Sequence, residues 1–177
     1  MKHFSALLFC AVASLFVSIC LPAQTIADEN YIFDKDHVGP VKIGDNSKDA
    51  AAKLKALFPV VKIEYDGNKE CNAVNCYDKK NRLQLTFYCG PHNLSTKETI
   101  EEYRIYSTDF VSSDGFSLNS TVGELLKTGR WFVVMDCAFI LVGEEVYFYI
   151  PNASLTEDDI TAPATSKPTV ISNMPWN

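Results

Sequence analysis

Residues 39–54 read Gly-Pro-Val-Lys-Ile-Gly-Asp-Asn-Ser-Lys-Asp-Ala-Ala-Ala-Lys-Leu. The spacing predicts a short strand (Val41, Lys42, Ile43), a glycine corner at Gly44, then a helix capped by Asn46, with Asp49 placed to reach back to the cap. Seventy-five residues later the same grammar returns without a gap. Phe116, Ser117 and Leu118 stand for Val41, Lys42 and Ile43, Asn119 stands for Gly44, and Thr121 with Glu124 for the cap and its partner. Two readings stand side by side: a duplicated strand–helix–multi-strand unit, with repeats about 31–110 and 111–177, or two unrelated strand-to-helix turns.

The flanking sequence fills in the elements. The first helix is expected over 47–57, with Ala50, Leu54 and Leu57 on one stripe and Pro59 as its stop. Residues 60–65 and 83–89 alternate apolar and polar and read as half-buried strands. Residues 71–82 are polar and read as the tip of a long hairpin. Further strands are expected at 31–33, 100–106, 131–137, 139–142 and 146–150, with a second helix over 122–127 ended by Gly129. Residues 151–167 read as loop, and 169–172 as a last edge strand. The class expected is α+β: a twisted antiparallel sheet with two helices on one face.

The N-terminus explains the expected location. Met1-Lys2-His3 is basic, Phe4 to Leu21 is almost wholly apolar, and Thr25 and Ala27 suit a signal peptidase. Residues 1–27 therefore read as a secretory signal peptide and 28–177 as a single extracytoplasmic domain, periplasmic or secreted. An uncleaved anchor is the rival, as is a lipid on Cys20, although Ile19 precedes it where a lipobox needs a small residue. No other stretch is apolar enough to span a bilayer. A net charge of −6 offers no basic stripe for nucleic acid.

After cleavage four cysteines remain, Cys71, Cys76, Cys89 and Cys137. In an oxidising compartment they read as two disulfides, Cys71–Cys76 across a polar tip and Cys89–Cys137 between the halves. Zinc on Cys71 and Cys76 is the competing use. No hydrolase, phosphate-loop, zinc-protease or dinucleotide motif is present, so neither a catalytic set nor a cofactor is expected. Asp34/Asp36/His37 and Glu157/Asp158/Asp159 offer oxygen ligands without the spacing of a calcium loop. His37 and His92 lie in polar turns, and three glycosylation triplets begin at Asn93, Asn119 and Asn152. Tyr147, Tyr149 and Trp131 are the candidate binding face, since alternation must turn either Tyr147 or Phe148 away from the helix-covered core.

Val38-Gly39-Pro40-Val41-Lys42-Ile43-Gly44 with its capped helix, and Ser117 to Leu125, resemble signatures of small uncharacterised bacterial envelope proteins. Among these are the envelope-stress-regulated enterobacterial lipoproteins. The resemblance covers about a third of the mature chain. It implies an extracytoplasmic domain without known catalysis, and the missing lipobox departs from the lipoprotein members. The repeated strand–glycine–helix grammar is also similar, at the level of fold analogy, to exported inhibitor domains related to β-lactamase inhibitor protein. The function expected is an exported, non-enzymatic binding or accessory protein with a protein or glycan partner in the envelope. Its alternatives are an inhibitor of a secreted enzyme, or a hydrolase using dispersed acids such as Asp34, Asp36 or Glu145.

Overall fold

The computed structural model describes residues 28–90, 98–143, 145–156 and 159–174. The signal-peptide reading, His92, the triplet at Asn93 and the Glu157/Asp158 pair lie outside them. The described residues are mostly β, 43% strand and 11% helix, not a balanced α+β fold. The helices that made it look balanced are short. Helix α1 covers Ser47–Leu54 and α2 only Val122–Leu125. A good N-cap starts a helix but does not lengthen it, and Gly129 donates its N–H to Leu125 O (2.8 Å) one turn later.

Eight strands form the main sheet: β4 (Val60–Asp66), β5 (Cys71–Tyr77), β6 (Leu83–Cys89), β7 (Ile100–Ile105), β9 (Arg130–Val134), β10 (Cys137–Val142), β11 (Val146–Tyr149) and β14 (Val170–Ser172). Their order across the sheet is β4-β5-β6-β7-β14-β11-β10-β9, every neighbouring pair antiparallel. Read outward from the central β7–β14 pair, each half runs from its fourth strand to its first. The connectivity is therefore two-fold about that seam.

Two expectations are corrected here. Residues 71–77 are an inner strand, not a hairpin tip, with Val74 and Cys76 wholly buried. The C-terminal β14 is central, not an edge: Ile171 faces Ile105 on one side and Phe148 on the other.

One face of the sheet carries the core. Ala50, Ala51 and Leu54 of α1 and Val122 and Leu125 of α2 join Leu85, Phe87, Tyr103, Ile140, Phe148 and Ile171 in one buried cluster. Both helices thus lie on the same side. A smaller sheet closes the end of this layer, with β1 (Ile32–Phe33), β2 (His37–Val38), β3 (Val41–Lys42) and β8 (Val111–Ser112) in the order β3-β2-β1-β8. Its β1–β8 pair is parallel and ties residues 32–33 to 111–112 across the two halves. A two-stranded hairpin, β12 (Ser154–Leu155) and β13 (Ile160–Thr161), interrupts the stretch expected to be all loop.

The two quoted cassettes differ in detail. The first has its strand, a corner with Gly44 at φ +92°, and Asn46 accepting from Lys48 N–H at 2.9 Å. The second has no strand at 116–118. Ser117 N–H donates to Ser120 Oγ, Asn119 N–H to Ser117 Oγ, and a reciprocal capping box joins Thr121 and Glu124. Local turn chemistry is therefore not repeated; what repeats is the order of strands. Asn46→Ala should cost about 1 kcal/mol in urea unfolding and Asn46→Asp almost nothing, because aspartate caps the same N–H. Equal losses for both would assign the position a role other than capping.

Candidate binding face

On the face away from the helices, alternation lines up aromatic side chains in the second half. Phe139 of β10 stands opposite Phe132 of β9 and Tyr149 of β11. Ring centroids lie 5.5 Å apart for Phe139–Tyr149, 6.2 Å for Phe139–Tyr147 and 5.3 Å for Phe132–Tyr147. Phe139 is wholly buried, while Phe132, Tyr147 and Tyr149 are half-buried around it. Tyr147 and Tyr149 thus occupy the outer face. Trp131 does not: it pairs with Ile140, a core residue, and packs against the core side. Phe132 takes the place that Trp131 was expected to fill. A one-residue change of parity moves a side chain through the sheet.

The first half continues this face with polar and aromatic groups already bonded to each other. Glu102 accepts from Lys69 and, at 2.8 Å, from Arg104 Nε, while both cations sit over the Tyr88 ring at 4.5 and 5.1 Å. Burial pushes the Tyr88 phenol up, so it remains a neutral donor, hydrogen-bonded with Tyr106. Beyond it Thr86 donates to Asn75, Asn75 donates to Glu64 at 3.0 Å, and Lys62 lies over the Tyr77 ring. These side chains are fixed by their neighbours before any ligand arrives.

A second feature sits at the end of the core layer. A cleft of about 280 Å³ is lined by Phe33, Asp34, Asp36, Asp114, Glu145 and Phe148, among others. The acids Asp34, Asp36 and Glu145 thus share one site with Asp114, because β1 pairs with β8. Asp34 is committed to its turn: Oδ1 accepts the N–H groups of Asp36 (2.8 Å) and His37 (2.9 Å) and lies 2.7 Å from His37 Nδ1. Among the described residues no three His, Cys, Asp or Glu side chains converge as a metal site.

The expected disulfides are not supported by the geometry. Cys71 and Cys76 lie on the same strand, five residues apart, or about 17 Å along it. Cys89 on β6 and Cys137 on β10 are four strand positions apart, about 19 Å. Neither span can be bridged, since a disulfide holds its Cα atoms within about 7 Å. All four are thiols in this structure. The pairing failed because residues 71–77 were read as a turn, which would have folded Cys71 back onto Cys76.

No family model matches the chain, and no curated protein matches it. Among solved structures the chain is similar to the uncharacterized protein yfeY from Escherichia coli, with a TM-score of 0.52 and 8% identity, over 78% of this chain and 95% of that one. At that identity the likeness is one of fold.

Proposed function

We propose that this chain is an exported, non-enzymatic binding protein that takes a folded protein partner on the open face of its eight-stranded sheet. The observation that carries the reading is the half-exposed ladder of Phe132, Tyr147 and Tyr149 around a buried Phe139. Tyrosines stacked this way offer large contact area while losing little rotamer entropy on binding, as anchor residues of protein interfaces do. The surface also has the right breadth. Eight strands about 4.8 Å apart span roughly 34 Å, enough for a standard interface of about 800 Å² per partner. None of the three described cavities is lined by Tyr147 or Tyr149, which favours a broad partner over a small ligand. Export, read from residues 1–27, supports a partner in the periplasm or outside the cell.

The cleft of Asp34, Asp36, Asp114 and Glu145 favours one second reading, an exported hydrolase. One comparison separates the two. The wild type, Tyr147→Ser, Tyr149→Ser and the pair Asp114→Asn/Glu145→Gln are used as bait in envelope extract, and each captured partner is titrated. Each tyrosine variant should bind about 30-fold more weakly, roughly 2 kcal/mol, with its urea midpoint little changed. The acid pair should bind as wild type. Loss of binding by the acid pair, with both tyrosine variants unaffected, would overturn the reading.

A further inference from the structure

We infer that the protein pairs with a second copy of itself through strand β4, edge to edge and antiparallel, about a two-fold axis at Ile63. Strand β4 is one edge of the eight-stranded sheet, and among the described residues no other strand lies along its outer side. It keeps one register against β5 over all seven residues, from Val60 to Asp66, with no bulge. A long, regular edge of this kind is a template for another strand.

The side chains of β4 divide between the two faces. Val61 packs against the core cluster, so Ile63 and Tyr65 share the helix-covered face with it. They nevertheless stay 40% and 61% exposed, two of the five exposed large apolar side chains among the described residues. Lys62 and Glu64 take the open face, where Lys62 Nζ lies 3.8 Å from Glu64 Oε1. Both of these side chains reach solvent at the sheet edge.

The charges select both the partner and the register. A two-fold axis normal to the sheet keeps each side chain on its own face, so the pairing must be centred on a residue. Centred on Ile63, Lys62 of each copy stands opposite Glu64 of the other. The two Ile63 side chains meet at the axis, and Val61 of each copy faces Tyr65 of the other. Opposed side chains lie about 5 Å apart at Cβ, close enough for both ion pairs to form. Moving the centre by one residue sets Lys62 against Lys62 or Glu64 against Glu64, and like charges directly opposite are destabilising. A lysine on an edge strand ordinarily deters pairing. In this register it meets its counter-charge. The charge pattern of β4 is thus its own complement, which fits a second copy better than an unrelated strand. The opposite edge, β9, has no such pattern, because Arg130 is its only charged residue.

The test is sedimentation equilibrium of the protein as purified from expressing cells. A seven-residue edge buries less than a standard interface, so the dimer should be weak, with a Kd on the order of 10 μM. Lys62→Glu and Glu64→Lys each turn two attractive pairs repulsive, and each should weaken the dimer about 30-fold. Mixed one to one, the two variants should pair again, since every reversed charge then faces its opposite. The mixture also guards against misfolding, because a variant that had lost its fold could not regain a partner. A wild type still monomeric at millimolar concentration, a dimer indifferent to both reversals, or a mixture no tighter than its components would each overturn the pairing. So would masses that climb past the dimer. Tyr147→Ser and Tyr149→Ser should dimerise as wild type, which separates this claim from the open-face reading. Loss of the dimer in those variants, with the β4 variants unaffected, would overturn it by moving the contact to the open face.

Discussion

A chain ended after Pro168 should lose its cooperative fold. Strand β14 supplies only three residues, but they occupy the seam between the halves. Ile171 is wholly buried, and Thr169 N–H donates to Tyr149 O at 3.1 Å. Just past the strand, Asn173 accepts from Tyr103 N–H at 2.9 Å and donates to Glu101 O at 3.3 Å. Without these residues β7 and β11 become open edges and the sheet parts into a four-stranded and a three-stranded remnant that bury too little. Losing the Ile171 side chain alone should cost 2–5 kcal/mol, and a domain of this size holds only about 5–15 kcal/mol in total. Urea unfolding followed by far-UV dichroism should show a broad, sloping transition in place of a sigmoid. A truncated chain with the wild-type midpoint would mean that the seam does not join the halves.

The second large effect is expected at Gly129, where the chain passes from α2 into β9. A Cβ built there meets Leu141 O at 2.8 Å, Ile140 Cγ2 at 2.9 Å and Leu125 O at 2.9 Å. Two of these are backbone atoms, from a strand and a helix end, and cannot swing aside. Gly129→Ala should therefore destabilise the protein by about 2 kcal/mol through overpacking. Gly67→Ala is the control. Nothing lies within 4 Å of its Cβ, and its change should stay within about 0.5 kcal/mol. Equal midpoints for the two variants would show that α2 does not press on β10 as described.

What the sequence made legible was local. Alternation placed β4, β6 and β7 within a residue of their ends, and Asn46 with Pro59 bracketed α1. Strand β5 was missed because its asparagines look like turn residues. Their polar atoms are satisfied only by partners far along the chain: Asn75 by Glu64 and Thr86, Asn72 by Glu98. The place of β14 was hidden for the same reason, since three residues carry no signal of the two neighbours that bury them. On the binding face, the tyrosines were found from the simple rule that adjacent side chains diverge. Choosing Trp131 over Phe132 needed the register of β9 against β10, which the turn at Met135 (φ +50°) sets. The acids of the cleft met through the parallel β1–β8 pairing, a contact between segments about eighty residues apart that no periodicity announces.

The most direct test of the binding account is hydroxyl-radical footprinting of the chain alone and with its captured partner, read side chain by side chain. The account predicts that Phe132, Tyr147 and Tyr149 lose most of their oxidation in the complex, while the cleft peptide containing Asp34 and Asp36 is labelled as before. Unchanged labelling of the aromatic ladder, with protection confined to the cleft, would contradict it.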